Sequence, residues 1–385
     1  MIFRGLYINP LKTDPRPEAS ADSIGGNSME CDFLIVGAGL SGAVAARLLS
    51  DKGYQVIVAD RRNHIGGNLY DYTHSSGIRI HKYGPHYFRT DSDDIWRFVT
   101  RFDPFYKFEA EILSLIGGHY QHWPVWREYI DKNVKPGWTK HQGPINNLED
   151  ACLASMPYPV YNHFIREYNI KQWGCEPRCI SSEIALRFEV IDNNDPRLKH
   201  SKYQGLPLNG YAHWFSNLLK DIRLLLNTDY TEIKNDVTVK HKTIYTGPID
   251  EFFRCKLGRL KYRGQKRTIV YEDIAGYKQP VIQINYPSLS QGDKIRTLEW
   301  KHLMPPEFRD KIRGTVYTIE EPYSPESSND YEYPFPDNDN QKLYQSYLNM
   351  AREYPDILFK GRLAEYKYLD MDKAIENIFT TCRLF

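Results

Sequence analysis

Apolar residues follow two rhythms along this chain. Phe33-Leu34-Ile35-Val36 reads as a short buried strand, the Ala-rich run to Leu49 as a helix, and Val56-Ile57-Val58, ending at Asp60, as a second strand. Apolar positions three to four apart predict helices over 93–100, through Ile95, Phe98 and Val99, and over 147–172, through Ala154, Tyr161, Phe164, Ile165 and Tyr168. Between them, Trp123-Pro124-Val125-Trp126 and the Pro/Gly-rich stretch 135–146 read as loops. A helix over 210–221 and the strand Thr243-Ile244-Tyr245, stopped by Gly247-Pro248, return the pattern to α/β. Alternating runs at 268–271, 281–286, 295–300 and 314–319 predict an antiparallel sheet. Ile357-Leu358-Phe359 reads as a further strand and 371–381 as a closing helix. Residues 1–28 are rich in Pro, Ser, Asp and Gly and lack periodicity, so they are expected to be a disordered leader, with Met29 as a natural start.

The link between the first two strands carries chemistry. Gly37-Ala38-Gly39-Leu40-Ser41-Gly42 puts Gly37 where the chain must turn tightly, Gly39 where backbone must approach a pyrophosphate, and Gly42 where helix must pack on strand. The helix N-terminus then offers unpaired N–H groups to phosphates, and Asp60 is placed to take ribose hydroxyls. A second glycine turn follows in Arg61-Arg62-Asn63-His64-Ile65-Gly66-Gly67-Asn68. A nicotinamide enzyme has no need of it, whereas flavoproteins thread such a turn along their cofactor, so position favours FAD over NAD.

Composition narrows the partners. With 50 basic and 49 acidic residues the net charge is +1, which asks for neither nucleic acid nor an anionic membrane. No apolar run approaches the roughly 18 residues of a membrane-spanning helix. The six cysteines show no metal-ligand spacing; Cys175 and Cys179 could lie one helical turn apart but have no histidine or further cysteine nearby, and all six read as free thiols in a reducing cytosol. The 29 tyrosines and 7 tryptophans suit surfaces that stack rings and hydrogen-bond sugars, although most are expected to pack between elements.

Three further segments mix glycine, aromatic and basic residues too densely for plain core: Ile80 to Thr90, Tyr168 to Gly174, and Gly361 to Met371. They suggest a site for an aromatic ring system and an anionic, ring-bearing substrate. Together with Tyr203-Gln204-Gly205, Tyr245 to Asp250 and Asp339-Asn340, these strings resemble the UDP-galactopyranose mutase family, in family order from about residue 32 to 380. The resemblance implies an α/β fold: a Rossmann-like FAD-binding domain (30–95, 205–250 and 355–385), an inserted helical domain for substrate and dimerisation (96–180), and an antiparallel β-sheet domain with a mobile loop (181–204 and 251–354), behind a leader at 1–29. It implies a cytoplasmic homodimer that interconverts pyranose and furanose forms of a nucleotide-diphosphate sugar for surface polysaccharide. The reaction runs through an adduct between the sugar and N5 of reduced FAD, after activation by an external reductant such as NAD(P)H. The competing reading, from the glycine turns alone, is a flavin oxidoreductase of the amine-oxidase type.

Carried over residue by residue, the resemblance assigns Arg296, Arg362, His86 and Arg187 to catalysis. Gly37, Gly39, Gly42, Asp60, Arg61, Gly67, Asn68, Gly247, Arg362, Asp370 and Met371 would hold the cofactor. Arg89, Phe164, Tyr168, Asn169, Trp173, Arg187, Asn285, Arg296, Tyr333, Arg362, Tyr368 and Asp370 would contact substrate, with Arg296 and Arg362 on the diphosphate; no metal is expected. His81 reads as a satisfied core histidine, and Tyr366 as a packing residue. The chain also departs from the family pattern: Arg89 stands where galactose-converting members usually have histidine, Trp126 where they have asparagine, Leu198 where a phosphate tyrosine is expected, and Asn169 replaces a threonine. Intact cofactor motifs beside an altered sugar wall point to galactose or to a modified, deoxy or N-acetyl hexose.

Overall fold

The computed structural model describes residues 29–188 and 190–385. The expected leader at 1–28 lies outside them; Met29, counted with it above, instead opens strand β1 (Met29–Val36) opposite Val237. A five-stranded parallel sheet runs in the order Arg223–Leu226, β2 (Val56–Asp60), β1, Val237–Tyr245, Ile357–Phe359. Both faces of β1 are buried, as parallel strands require. Phe33 and Ile35 enter the main core, while Cys31 and Leu34 enter a second cluster with Ile57 and Ala59. Helix α1 (Leu40–Asp51) covers the first face, its Ala43, Ala45 and Ala46 fully buried, and packs along the C-terminal helix Met371–Cys382.

The second sheet has seven strands, in the order Tyr333–Pro334, Tyr262–Glu272, Thr315–Tyr323, Arg296–Glu299, Gln283–Asn285, Ile112–Ile116, His119–Trp123. All neighbours are antiparallel except Gln283–Asn285 and Ile112–Ile116. The four alternating runs thus form the centre of this sheet, but two of its strands come from the segment expected to be helical. Gly117 and Gly118, both at positive φ, make the two-residue turn between them. The stretch expected to be a loop at Trp123–Trp126 is likewise partly sheet: Trp123 ends a strand, and Val125–Trp126 pairs in parallel with Val190–Ile191.

The helix expected over 147–172 is broken. Leu148–Ser155 starts on an Asn147 cap, whose Oδ1 accepts from Asp150 N at 3.0 Å, and stops before Pro157. Proline cannot donate to the preceding turn and drives Met156 out of helical geometry. The chain resumes at Tyr158–Val160, widens into a π-type turn over Tyr161–Arg166, and finishes as Glu167–Trp173 with Gly174 left-handed at φ 73°. Helices at Asp93–Val99 and Tyr211–Leu218 fall where the periodicity puts them. Among the described residues no helix is long and apolar enough to cross a membrane.

Candidate functional site

Two cavities adjoin, and Arg362 and Met371 line both. The first, about 180 Å³, lies over the C-terminal ends of β1 and β2 and is lined by Gly37, Gly39, Asp60, Arg61, Gly67, Asn68 and Gly247 among others. Its floor is bare backbone. A Cβ on Gly37 would stand 2.1 Å from Thr246 Oγ1, and one on Gly67 2.8 Å from Gly39 Cα, so the two glycine turns pass back to back. Gly42 does not line the cavity; a Cβ there would overlap Gly37 O at 1.9 Å, which locks helix to turn as its spacing suggests. The first N–H groups of α1 have no intrahelical acceptor, and they open on this floor. The donor set suits the pyrophosphate of a dinucleotide.

Asp60 does more than expected. Its Oδ2 accepts from Ala38 N at 2.7 Å and its Oδ1 from Arg62 N at 2.8 Å, so the carboxylate braces the first glycine turn while facing the cavity. Arg61 is held by Glu251 at 2.8 Å. Asn68 accepts from Arg62 and donates to Tyr331 O, which fixes the second turn. Thr228, Asp229 and Tyr230 complete the rim, a contribution from the return of the chain that no motif announced.

The second cavity, about 320 Å³, lies between the seven-stranded sheet, the Glu167–Trp173 helix and the segment around Arg187. It collects every residue assigned above to substrate, together with His86: Arg89, Phe164, Tyr168, Asn169, Trp173, Arg187, Asn285, Arg296, Tyr333, Arg362, Tyr368 and Asp370. Asp370 lines this cavity and not the first. The guanidinium carbons of Arg187 and Arg362 lie 4.2 and 4.8 Å from the centre of the Tyr368 ring. Arg362 donates to the carbonyls of Glu332 and Leu369 at 3.2 and 2.9 Å, and among the described residues neither arginine has a carboxylate in ion-pair reach. Arg296 differs: its Nε donates to the fully buried Glu320 at 2.6 Å, so its charge is already matched. Arg89 is paired with Asp370 at 3.0 Å. Burial, with Arg362, Arg267 and Arg296 nearby, pushes the His86 imidazole down to about 3, leaving it neutral near pH 7.

Several side chains sit otherwise than sequence suggested. Trp126 is not part of the sugar wall; its ring stacks on His122 at 3.6 Å and its indole donates to Asp195 O at 3.1 Å, outside the cavity. Trp123 lines the cavity instead, close to Phe164 and Phe188. The Asn169 amide is engaged within its helix, donating to Ile165 O and accepting from Trp173 Nε1, so it aims the tryptophan. Asn285 accepts from Gln283 at 2.9 Å. Tyr87, given no role of its own above, lines the cavity with a buried hydroxyl that has no hydrogen-bond partner among the described residues. Leu198 lines it at the position where a tyrosine was expected. His81 accepts from His86 N at 3.2 Å inside the core, and Tyr366 donates to Lys261 O at 2.6 Å, both as packing residues. Among the described residues no cluster of His, Cys, Asp or Glu could hold a metal.

The family model for UDP-galactopyranose mutase matches residues 163–368, more than half of the chain. The chain belongs to this family. A second model, an NAD(P)-binding Rossmann-like domain, matches residues 35–102. A dTDP-fucopyranose mutase from Escherichia coli is 30% identical over 376 residues, covering 91% of this chain and 97% of the relative. A probable UDP-galactopyranose mutase from Klebsiella pneumoniae is 29% identical over 370 residues, covering 92% and 94%. The crystal structure of reduced UDP-galactopyranose mutase shares the fold at a TM-score of 0.73 and 15% identity, covering 92% of this chain and 94% of that one. By contrast, the likeness to a flavin-containing amine oxidase B from Bos taurus spans 43 residues, 11% of this chain, so it reaches no further than one short segment.

Proposed function

We propose that this chain interconverts the pyranose and furanose forms of a nucleotide-diphosphate sugar, with FAD in the glycine-floored cavity and the sugar nucleotide in the adjoining one. The observation that carries the reading is the shared wall. Arg362 and Met371 border both cavities, so a ring system in the first can meet a sugar in the second. Bound and reduced, for instance by NAD(P)H, FAD would supply N5 as a nucleophile toward the anomeric carbon.

The chain's own groups supply the rest. Arg187 and Arg362, unmatched by carboxylates among the described residues, meet the charge of the departing diphosphate with charge-assisted hydrogen bonds in a site walled by aromatic rings. Arg296, matched by Glu320, gives directed donors without adding net charge. Phe164, Tyr168 and Trp173 offer faces for the nucleobase, and neutral His86 sits near the shared wall without competing for the diphosphate. The Arg89–Asp370 pair and Leu198 alter the part of the wall that faces the sugar or diphosphate, which favours galactose or a deoxy or otherwise modified hexose. The product would serve as a furanose donor for surface polysaccharide, and a homodimer is the proposed assembly.

The test is FAD-loaded protein, reduced with dithionite, incubated with UDP-galactopyranose and dTDP-fucopyranose and resolved by anion-exchange chromatography. Conversion without consumption of reductant is expected. Stoichiometric loss of oxygen with oxidised product, or no conversion of any nucleotide sugar offered, would remove the reading.

A further inference from the structure

Arg267 lines neither cavity, yet contacts join it to Arg296 and Arg362, which both line the second. On three adjacent antiparallel strands, Arg267, Glu320 and Arg296 stand directly opposite one another. Glu320, fully buried in the middle strand, accepts from Arg267 Nε through Oε1 at 2.8 Å and from Arg296 Nε through Oε2 at 2.6 Å. The far end of the Arg267 guanidinium donates to both oxygens of Glu332, at 2.7 and 2.9 Å. The backbone carbonyl of Glu332 in turn accepts from Arg362 at 3.2 Å.

Two cations and two anions alternate in this chain of contacts, so the buried group is neutral as a whole. Each link is a directed bond, and the one between Arg267 and Glu332 is two-point, the geometry in which arginine and carboxylate fix each other's orientation. Above it lies Gly84, at φ +94°, where a Cβ would stand 3.0 Å from Arg267 Nη2 and 3.2 Å from Arg296 Nη2. The turn that carries His86 therefore rests on the same pair of guanidinium groups.

We infer that Arg267 is a positioning residue: through Glu320 it orients Arg296, and through Glu332 it orients Arg362. For nucleotide binding this rests on the function proposed above. Removing Arg267 alone leaves a buried carboxylate without its partner, which is strongly destabilising. The informative variant is accordingly Arg267→Met with Glu332→Gln, which keeps charge balance because Glu320 still matches Arg296. Arg267→Lys keeps a cation between the carboxylates but loses the fork. With FAD-loaded protein, UDP and dTDP titrations are expected to give dissociation constants raised about tenfold in the double variant and by less in the lysine variant, with turnover reduced in both. A crystal structure of the double variant is expected to show Arg296 or Arg362 turned away from its present acceptors. Unchanged nucleotide affinity and turnover in the folded double variant, or in the lysine variant should the double one not fold, would overturn the assignment. So would a structure with both guanidinium groups in place. A wild-type protein that binds neither nucleotide would instead count against the proposed function, and the crystal structure would still decide the role of Arg267.

Discussion

Replacing Arg187 by methionine isolates one of the two guanidinium groups of the second cavity that no carboxylate matches among the described residues. Among the described residues its partner is the Tyr368 ring, 4.2 Å away, so there the variant forfeits a cation–π contact of about 0.5–2 kcal/mol. Methionine keeps the length and apolar character of the stem, and no acceptor among the described residues is left wanting. The loss should fall on the ligand. A hydrogen bond from a charged group contributes about 1.5–3 kcal/mol, so UDP or dTDP should bind about 10- to 150-fold more weakly. Because the interaction is between charges, wild-type affinity should fall with added salt more steeply than that of the variant. Arg187→Lys should lie between them: it keeps the charge but loses the planar group that covers the ring. Titration calorimetry at two salt concentrations, with thermal melts to show that folding is intact, measures all three. Wild-type affinity and wild-type salt dependence in the methionine variant would refute the assignment of Arg187 to the diphosphate.

Gly67→Ala places a methyl group 2.8 Å from backbone at Gly39, which cannot yield as a side chain would; flavin absorbance retained after desalting should drop well below stoichiometric, and full occupancy would count against the cradle. Arg89→His breaks a partly exposed ion pair worth about 0–1 kcal/mol, so the melting temperature should barely move while the ratio of rates on UDP-galactopyranose and dTDP-fucopyranose shifts; an unchanged ratio removes Arg89 from sugar choice. Burial drives the His64 imidazole down to about 4, so below its ordinary value the unfolded chain takes up a proton that the folded chain refuses. Stability is thus lost as pH falls from about 6.5 toward 4, by up to about 1.4 kcal/mol per pH unit from this one group. His64→Gln removes that contribution, so the urea midpoints of variant and wild type should converge from pH 7.5 to pH 5; parallel curves would contradict it.

What the sequence disclosed follows the range of the forces involved. The Gly37–Asp60 unit was legible because each of its requirements, a tight turn, a bare approach and a close helix, is met by neighbours along the chain. The four alternating runs were legible for the same reason. The strands at Ile112–Ile116 and His119–Trp123 were passed over although Gly117-Gly118 marks a two-residue turn, because Pro124 and the surrounding aromatic residues read as loop. The second role of Asp60 and the rim at Thr228–Tyr230 depend on where distant segments return, which local pattern does not encode. Trp126 and Trp123 show the limit most sharply. They lie three residues apart and are chemically equal, yet a pairing with Val190–Ile191 sends one out to Asp195 and leaves the other on the cavity wall.

The buried row of charges shows why such a site is hard to read yet strongly constrained once folded. Arg267, Glu320 and Arg296 are scattered in sequence and individually resemble surface ion pairs. Only the strand register brings them opposite one another, and a slip of one residue in any of the three strands would turn its charged side chain to the other face of the sheet, away from the other two. Burial then makes the register self-enforcing, since any misalignment leaves a charge in the interior without its partner, at a cost far above that of a misplaced apolar residue. The same contacts that penalise misfolding aim Arg296 and, through Glu332, Arg362 at the cavity. Here the specification of the fold and the alignment of the site rest on one set of interactions, so substitutions that weaken either should weaken both.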